Sequence, residues 1–231
     1  MTERIRHVLV VIPARNETET LRACLVSVER ARHRIRHLAR TRAVLVLDAC
    51  TDDSAAIAAA FSDVTVLSVG FANVGSSRAL GVEHGLHQID DDPAAVWIAT
   101  TDADSVVSNE WLREHLSAAR SRADALVGSV VPLLDDLDEA RRTAWLASHS
   151  PGSTLGHVHG ANLGVRADAY RAAGGFAALA EDEDVSLVEH LRAAGARIAH
   201  TEHEPVTTSS RLNGRVAGGY ARYLTELVTQ R

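Results

Sequence analysis

The sequence predicts an α/β protein: an open, mostly parallel sheet with helices on both faces. Three observations carry that prediction. Short apolar runs rich in β-branched residues recur through the first half of the 231-residue chain. Amphipathic segments of helical period alternate with them. The polar residues Asn16, Asp48 and Asp102 all fall at or just past the ends of those runs, where sheets of this kind bind ligands.

Val8-Leu9-Val10-Val11-Ile12 reads as a strand buried on both faces that stops at Pro13. Asn16 is placed to cap a helix beginning near Glu17, with Leu21, Leu25 and Val28 on one face. The arginine- and histidine-rich stretch 30–42 reads as a solvated helix end and loop. Val44-Leu45-Val46-Leu47 is a second strand ending at Asp48, followed by an alanine-rich helix at 54–61. Val64-Thr65-Val66-Leu67 is the third strand and 75–86 the third helix. Val96-Trp97-Ile98-Ala99 is the fourth strand and runs into Thr101-Asp102-Ala103-Asp104. Ser108 or Asn109 caps the next helix, whose apolar face is Trp111, Leu112, Leu116 and Ala119.

The second half is less regular. It predicts a strand at 126–131, an acidic loop at 132–139, a helix at 140–147 and a Gly/Ser/His-rich loop at 148–160 lying over a site. A short helix at 167–173 is closed by Gly174-Gly175. A helix at 182–194, closed by Gly195, has Val185, Leu187, Val188 and Leu191 as its apolar face. A strand at 197–200 and a final helix at 220–228 complete the chain. With no internal repeat or linker, residues 1–231 read as one domain.

Composition narrows the function. The hydrophobic fraction is 46% and the charged fraction 23%, which suits a globular protein and argues against disorder or coiled coil. A net charge of -6 supplies no global basic field for nucleic acid. All 24 basic residues are arginine, which excludes a P-loop lysine, a Schiff-base lysine and any other catalytic lysine. Cys24 and Cys50 form no CxxC pair and read as small buried hydrophobes. No apolar run is long enough to span a bilayer and the N-terminus lacks a signal-peptide core, so the expected location is cytoplasmic. Oligomeric state has no signature in the sequence.

The carboxylates carry the chemistry. Asp102 and Asp104 are separated by one small residue just past a strand, so both can turn toward one point. Like charges so close resist ionising together, and a divalent cation with oxygen preference, Mn²⁺ or Mg²⁺, relieves them. The same pair also reads as a polar turn with Asp104 in an Asx-type bond, but its place at the carboxyl edge of the sheet favours metal. Such a cation recruits phosphate. The turn Ile12-Pro13-Ala14-Arg15-Asn16 contains no GxGxxG, which weighs against a nicotinamide or flavin. Glu181-Asp182-Glu183-Asp184 opens a helix; acids there complement the helix dipole, and one of them could equally be a general base.

In chain order, these landmarks resemble family 2 glycosyltransferases with the GT-A, Rossmann-like fold. Val11-Ile12-Pro13-Ala14-Arg15-Asn16-Glu17 is similar to the family's VIPARNE turn, and Leu47 through Ser54 resembles its DDGSTDD segment, with Ala49 and Cys50 departing from it. Asn73-Val74-Gly75 through Arg78 and Gly81 resembles NxGxxxARNxG, with Ala79-Leu80 departing, and Asp102-Ala103-Asp104 resembles the DxD motif. Gly160 through Arg166 resembles GxNxxxR, and Gly174-Gly175-Phe176 with the acidic run resembles GGF…EDxDL.

The resemblance implies transfer of a sugar from a UDP- or GDP-linked donor to an acceptor hydroxyl, with inversion. Residues 1–104 become the nucleotide-binding half and 105–231 the acceptor-binding half. Asp102 and Asp104 hold the metal and donor, and Asp48 accepts from a nucleobase N–H. Pro13, Arg15 and Glu17 line the nucleoside pocket, and Arg78 belongs to the donor site. Asn162 faces the donor sugar or acceptor, Glu181 lies on the acceptor side, and Asp182 is the base. Arg211 and Arg215, in a segment similar to TSxRxxGR, are placed to close over the diphosphate, or else lie on a surface helix.

Trp145, beside the long loop, is a candidate for stacking on an acceptor sugar, with burial as the alternative. His157 and His159 form an HxH that suits zinc, although solvated or loop-packing roles are the commoner use. His200 or His203 are candidates to complete the metal shell. Two other functions are compatible with such a sheet: a non-catalytic nucleotide- or partner-binding relative, and a sugar nucleotidyltransferase. The second normally needs a glycine-rich lysine loop after the first strand, which Pro13 to Asn16 do not supply.

Overall fold

The computed structural model describes residues 3–149, 152, 157–214 and 219–228. Strands β1 (His7–Ala14), β2 (Arg40–Asp48), β3 (Val64–Val69) and β4 (Val96–Thr100) alternate with helices α1 (Leu21–Ile35), α2 (Ser54–Ala58) and α3 (Val74–His87). Then follow β5 (Ser105–Val106), α4 (Trp111–Arg120), β6 (Ala125–Pro132), α5 (Glu139–Ser148), β7 (Leu163–Arg166), α6 (Ala167–Ala172), α7 (Glu183–Ala193), β8 (Ile198–Thr208) and α8 (Gly219–Glu226). The strands form an eight-stranded sheet in the order β3-β2-β1-β4-β7-β6-β8-β5. β1 to β4 pair in parallel, β7 runs antiparallel to both β4 and β6, and β8 is again parallel to β6. The sheet is mostly parallel, as expected.

The period-2 geometry of a strand explains the continuous apolar runs. In β1, Val8, Val10 and Ile12 enter a core with Leu21, Cys24, Leu25 and Val28 of α1 and Trp111 and Leu112 of α4. Leu9 and Val11 face the opposite core, with Val82 of α3, Tyr170 of α6 and Leu187, Val188 and Leu191 of α7. A third, smaller cluster joins Trp145 of α5 to Leu224 of α8. Cys24 is fully buried and Cys50 half-buried.

Four local expectations change. Pro13 continues β1, opposite Val46; pairing with β4 ends at Val11, so a missing N–H there costs no ladder bond. Asn16 does not cap α1, which begins at Leu21 behind Thr20; it sits in the left-handed region at φ 56°. Ser108 Oγ accepts from the Glu110 N–H, but Glu110 rather than Ser108 or Asn109 precedes α4. The strand expected at 197–200 reaches Thr208, because its register against β6 jumps from Gly128–Thr201 to Val130–Val206, with Glu204 at φ 54° inside the bulge. The bulge hides the strand's continuation in a polar, proline-containing stretch.

Candidate active site

The carboxyl ends of β1, β2 and β4 and the last residues of β8 open onto one cleft of about 620 Å³. It lies where the strand order reverses between β1 and β4, the usual ligand position in open α/β sheets. Its floor is made by loops that bond to one another. Asn16 Oδ1 accepts from the Thr51 N–H at 2.7 Å, Glu17 N–H donates to Ser54 Oγ at 3.0 Å, and Thr18 N–H donates to Asp52 at 3.0 Å. Asp52 is subject to burial that pushes its carboxyl up, but hydrogen bonds from Thr18 and Ser54 prevail and hold it at about 2. Asn16, Ala49 and Ala72 all take positive φ around this floor, a costly backbone state for residues with a Cβ.

Asp48, 4% exposed, braces the next loop. Its oxygens accept from the N–H groups of Ala72 and Asn73 at 2.7 and 2.8 Å and from Ser77 Oγ at 2.9 Å. A carboxylate offers about four lone-pair directions, of which these bonds use three. Asn73 caps α3 by accepting from the Ser76 N–H. Gly75 lets the helix start pass under the 177–179 loop, since a Cβ there would lie 2.1 Å from the Ala177 carbonyl oxygen.

Beyond β4, the two carboxylates of the DxD each meet an arginine. Asp102 pairs with Arg78, which also holds Glu183; Arg78 and Glu183 are both buried. The Arg78 guanidinium lies 5.9 Å from the Phe176 ring centre and rests against Gly160, where a Cβ would fall 2.4 Å from Nη2. Asp104 lies 2.9 Å from Arg211 Nη2, and Arg211 Nη1 donates to Glu17 at 2.7 Å. Thr208 Oγ1, at the end of β8, lies 3.4 Å from Asp104 Oδ1. Burial pushes both DxD carboxyls up. Arg78 opposes this at Asp102, where Asp104 and Asp184 add to it; Arg211 opposes it at Asp104, where Glu17 adds to it.

Carboxylates outnumber guanidinium groups along the cleft walls. An all-oxygen pair of this kind fits Mg²⁺ or Mn²⁺, which are commonly held by one or two carboxylates while substrate phosphates and waters complete the shell. Among the described residues there is no cluster of three His, Cys, Asp or Glu side chains that could hold a metal. His200 and His203 are exposed along β8, outside the cleft lining, so neither completes the shell of Asp104. His157 and His159 do line the cleft.

Of the residues singled out in the sequence, Pro13, Arg15, Glu17, Asp48, Arg78, Asp102, Asp104, Glu181, Asp182 and Arg211 line this cleft. Arg215 lies outside the described residues. Two expected contacts are displaced. Asn162 is 2% exposed in the core: its Oδ1 accepts from Trp111 Nε1 at 2.9 Å and its Nδ2 donates to the Ser129 carbonyl at 2.9 Å. Trp145 is 6% exposed and covered by His149, which stacks on it with ring centres 4.0 Å apart.

The acidic run resolves by helix phase. Asp182 is exposed at φ 60° ahead of α7, Glu183 turns inward to Arg78, and Asp184 is half-buried. Asp184 Oδ2 accepts from the Gly160 N–H at 2.5 Å, placing it deeper in the cleft than Asp182. Sequence reasoning missed Glu183 and Asp184 individually; the available signal was the position of α7's inward face, set by Leu187, Val188 and Leu191.

No curated protein sequence matches this chain. The sequence profile of Glycosyl transferase family 2 matches residues 9–173. The structure superposes on TarS (residues 1–349) from S. aureus with a TM-score of 0.64 at 12% identity, covering 96% of this chain and 69% of that one. It matches the mannosyltransferase PcManGT from Pyrobaculum calidifontis, solved with GDP-Man and Mn²⁺, with a TM-score of 0.62 at 18% identity, covering 96% and 60%. Glucosyl-3-phosphoglycerate synthase from Mycobacterium tuberculosis, in complex with Mn²⁺, UDP-Glc and phosphoglyceric acid, gives a TM-score of 0.59 at 14% identity, covering 97% and 77%. The sheet order, the strand-end carboxylates and the span of the profile agree: this chain belongs to glycosyl transferase family 2 and has its GT-A fold.

Proposed function

We propose that this glycosyltransferase moves a sugar from a UDP- or GDP-linked donor to an acceptor hydroxyl, using a divalent cation held by Asp102 and Asp104. The carrying observation is that pair: two carboxylates at the end of β4, each on its own arginine, in a cleft at the sheet's switch point. Structural neighbours solved with UDP or GDP-Man and with Mn²⁺ or Mg²⁺ support the choice of donor and metal. The first half of the chain takes the nucleotide and the second half the acceptor.

The nucleoside lies along Pro13, Arg15 and Glu17, and the free lone-pair direction of Asp48 receives a base N–H such as uracil N3–H or guanine N1–H. A bound cation would neutralise the charge that builds on the departing diphosphate. With a cation held by Asp104, the Arg211 guanidinium would be free to turn its fork to the diphosphate oxygens. Arg78 stays in place, fixing Asp102 against Glu183.

The acceptor hydroxyl gives its proton to a carboxylate at the start of α7 and attacks the sugar carbon opposite the diphosphate, which inverts that centre. The geometry favours Asp184 over Asp182 for this role. Asp184 lies deeper and close enough to Asp102 to raise its carboxyl, whereas Asp182 stands in solvent at the mouth, near Glu181.

The test is release of UDP or GDP from sugar donors in the presence of Mn²⁺. Asp184→Asn lowers turnover by roughly 10²–10⁴-fold and Asp182→Asn by less than about tenfold. The opposite ranking would return the role to Asp182. A protein that binds diphosphate and never turns over any donor would be a non-catalytic relative.

A further inference from the structure

The far wall of the cleft is made of rings from stretches distant in sequence. His149 follows α5, His157 and His159 precede Gly160, and Tyr220 and Tyr223 lie on α8; all five line the cleft. The rings hold one another in place. Trp145 underlies His149 at an interplanar angle of 10° and donates from Nε1 to Tyr220 Oη at 3.0 Å. His149 Nδ1 lies 2.9 Å from the Trp145 carbonyl oxygen, which fixes its proton on that nitrogen and leaves Nε2 facing Tyr223 Oη at 3.4 Å. His159 meets the Tyr220 ring edge-on, 5.9 Å between centres.

Two imidazoles of this wall are held toward their neutral form. Burial pushes His149 and His159 below the ordinary imidazole range, and Asp184 only partly opposes this at His159. Of the arginines lining the cleft, Arg78 is paired with Asp102 and Glu183 and Arg211 with Glu17 and Asp104, and Arg15 follows β1. Among the described residues, the carboxylates that act on these imidazoles are Glu202 at His149 and Asp184 at His159, and Arg222 of α8 is held by Glu226. A phosphate or carboxylate on the acceptor would meet repulsion from those carboxylates. A pyranose ring has the opposite character: apolar C–H faces that pack on flat rings, and hydroxyls that match imidazole nitrogens and phenols.

We propose that the acceptor is a neutral carbohydrate, a sugar or glycoside, whose ring packs against His149, Tyr220 and Tyr223 and presents one hydroxyl to Asp184. The proposal rests on the glycosyl-transfer reading and narrows its acceptor. Trp145 serves this wall as a positioning residue beneath His149, rather than touching the sugar.

The experiment pairs donor binding with acceptor choice. Diphosphate binding with Mn²⁺ is measured first by calorimetry. Transfer from the matching donor sugar is then followed with methyl glycosides and free hexoses, and in parallel with phosphoglyceric acid and hexose phosphates as anionic probes. The expected result is product with neutral acceptors at rates at least tenfold above those with anionic ones. Tyr223→Ala should raise the acceptor KM about tenfold and leave the diphosphate Kd unchanged, while Tyr223→Phe, which keeps the ring, should stay within about twofold of the parent. With diphosphate binding intact, absence of any neutral-glycoside product, or preference for the anionic probes, overturns the acceptor assignment alone. Loss of diphosphate binding itself would instead defeat the donor reading.

Discussion

The proposed donor end of the cleft is held by loops that hydrogen-bond to one another, whereas the proposed acceptor end is held by rings that stack. At the donor end, Asn16, Glu17, Thr18, Asp48 and Asp52 link successive strand ends, and nearly every buried oxygen there meets an N–H or hydroxyl. At the acceptor end, Trp145, His149, Tyr220 and Tyr223 come from α5 and α8, which share only a small cluster away from the main core. The difference teaches where specificity can drift. On the proposed reading, diphosphate recognition is tied to the sheet, where a change also costs stability, whereas the acceptor wall rests on a smaller cluster of its own.

That contrast can be broken by mutation. The largest stability effect belongs to Arg78. Arg78→Ala strands Glu183, whose side chain is 4% exposed, and removes the partner of Asp102. Breaking a buried pair in this way costs roughly 3–5 kcal/mol, seen as a lowered urea midpoint with unchanged slope. A loss below about 1 kcal/mol would mean that Glu183 finds another partner or takes up a proton at little cost.

Asn162 gives the next effect and separates fold from site within the second half. Asn162→Ala removes the acceptor of Trp111 Nε1 and should cost roughly 1–3 kcal/mol. Acceptor KM should not move. A raised KM at unchanged stability would place Asn162 in the site after all.

Arg211 sharpens the comparison from the donor side. Its guanidinium bridges Glu17 and Asp104, where on the proposed reading a cation would compete with it. Arg211→Ala should tighten Mn²⁺ binding in the absence of nucleotide and weaken diphosphate binding in its presence, each by about tenfold, or roughly 1.4 kcal/mol. Calorimetry with the metal alone and with the metal plus UDP or GDP checks both signs. Movement of the two affinities in the same direction would contradict the exchange.

The strand-end carboxylates that line the cleft were legible in the sequence because strand ends are legible. A β-branched run that stops at Asp48 or Asp102 fixes which carboxylates reach the sheet's edge, whatever the loops do. Three kinds of information were not legible. Side-chain direction depends on tertiary placement: Asn162 immediately precedes β7, which runs against β4 and β6, and its side chain lies in the core. Helix phase decides which acid of residues 181–184 faces the cleft, and α7 begins one residue later than the acidic run suggests. Contacts between distant segments, such as Tyr220 with Trp145, leave no local pattern at all. Asn16 failed for a related reason: its partner, Thr51, lies on another loop, and that long-range bond took the side chain that local rules assign to a helix cap.

The most direct measurement is calorimetric titration of UDP and of GDP into the protein with Mn²⁺, with EDTA, and into Asp104→Asn with Mn²⁺. If the strand-end carboxylates hold a cation that receives the diphosphate, one nucleotide binds in Mn²⁺, and its affinity falls by at least about a hundredfold, roughly 2.7 kcal/mol, in EDTA or in the variant. Diphosphate affinity that is the same in all three conditions would contradict a metal-bridged donor site.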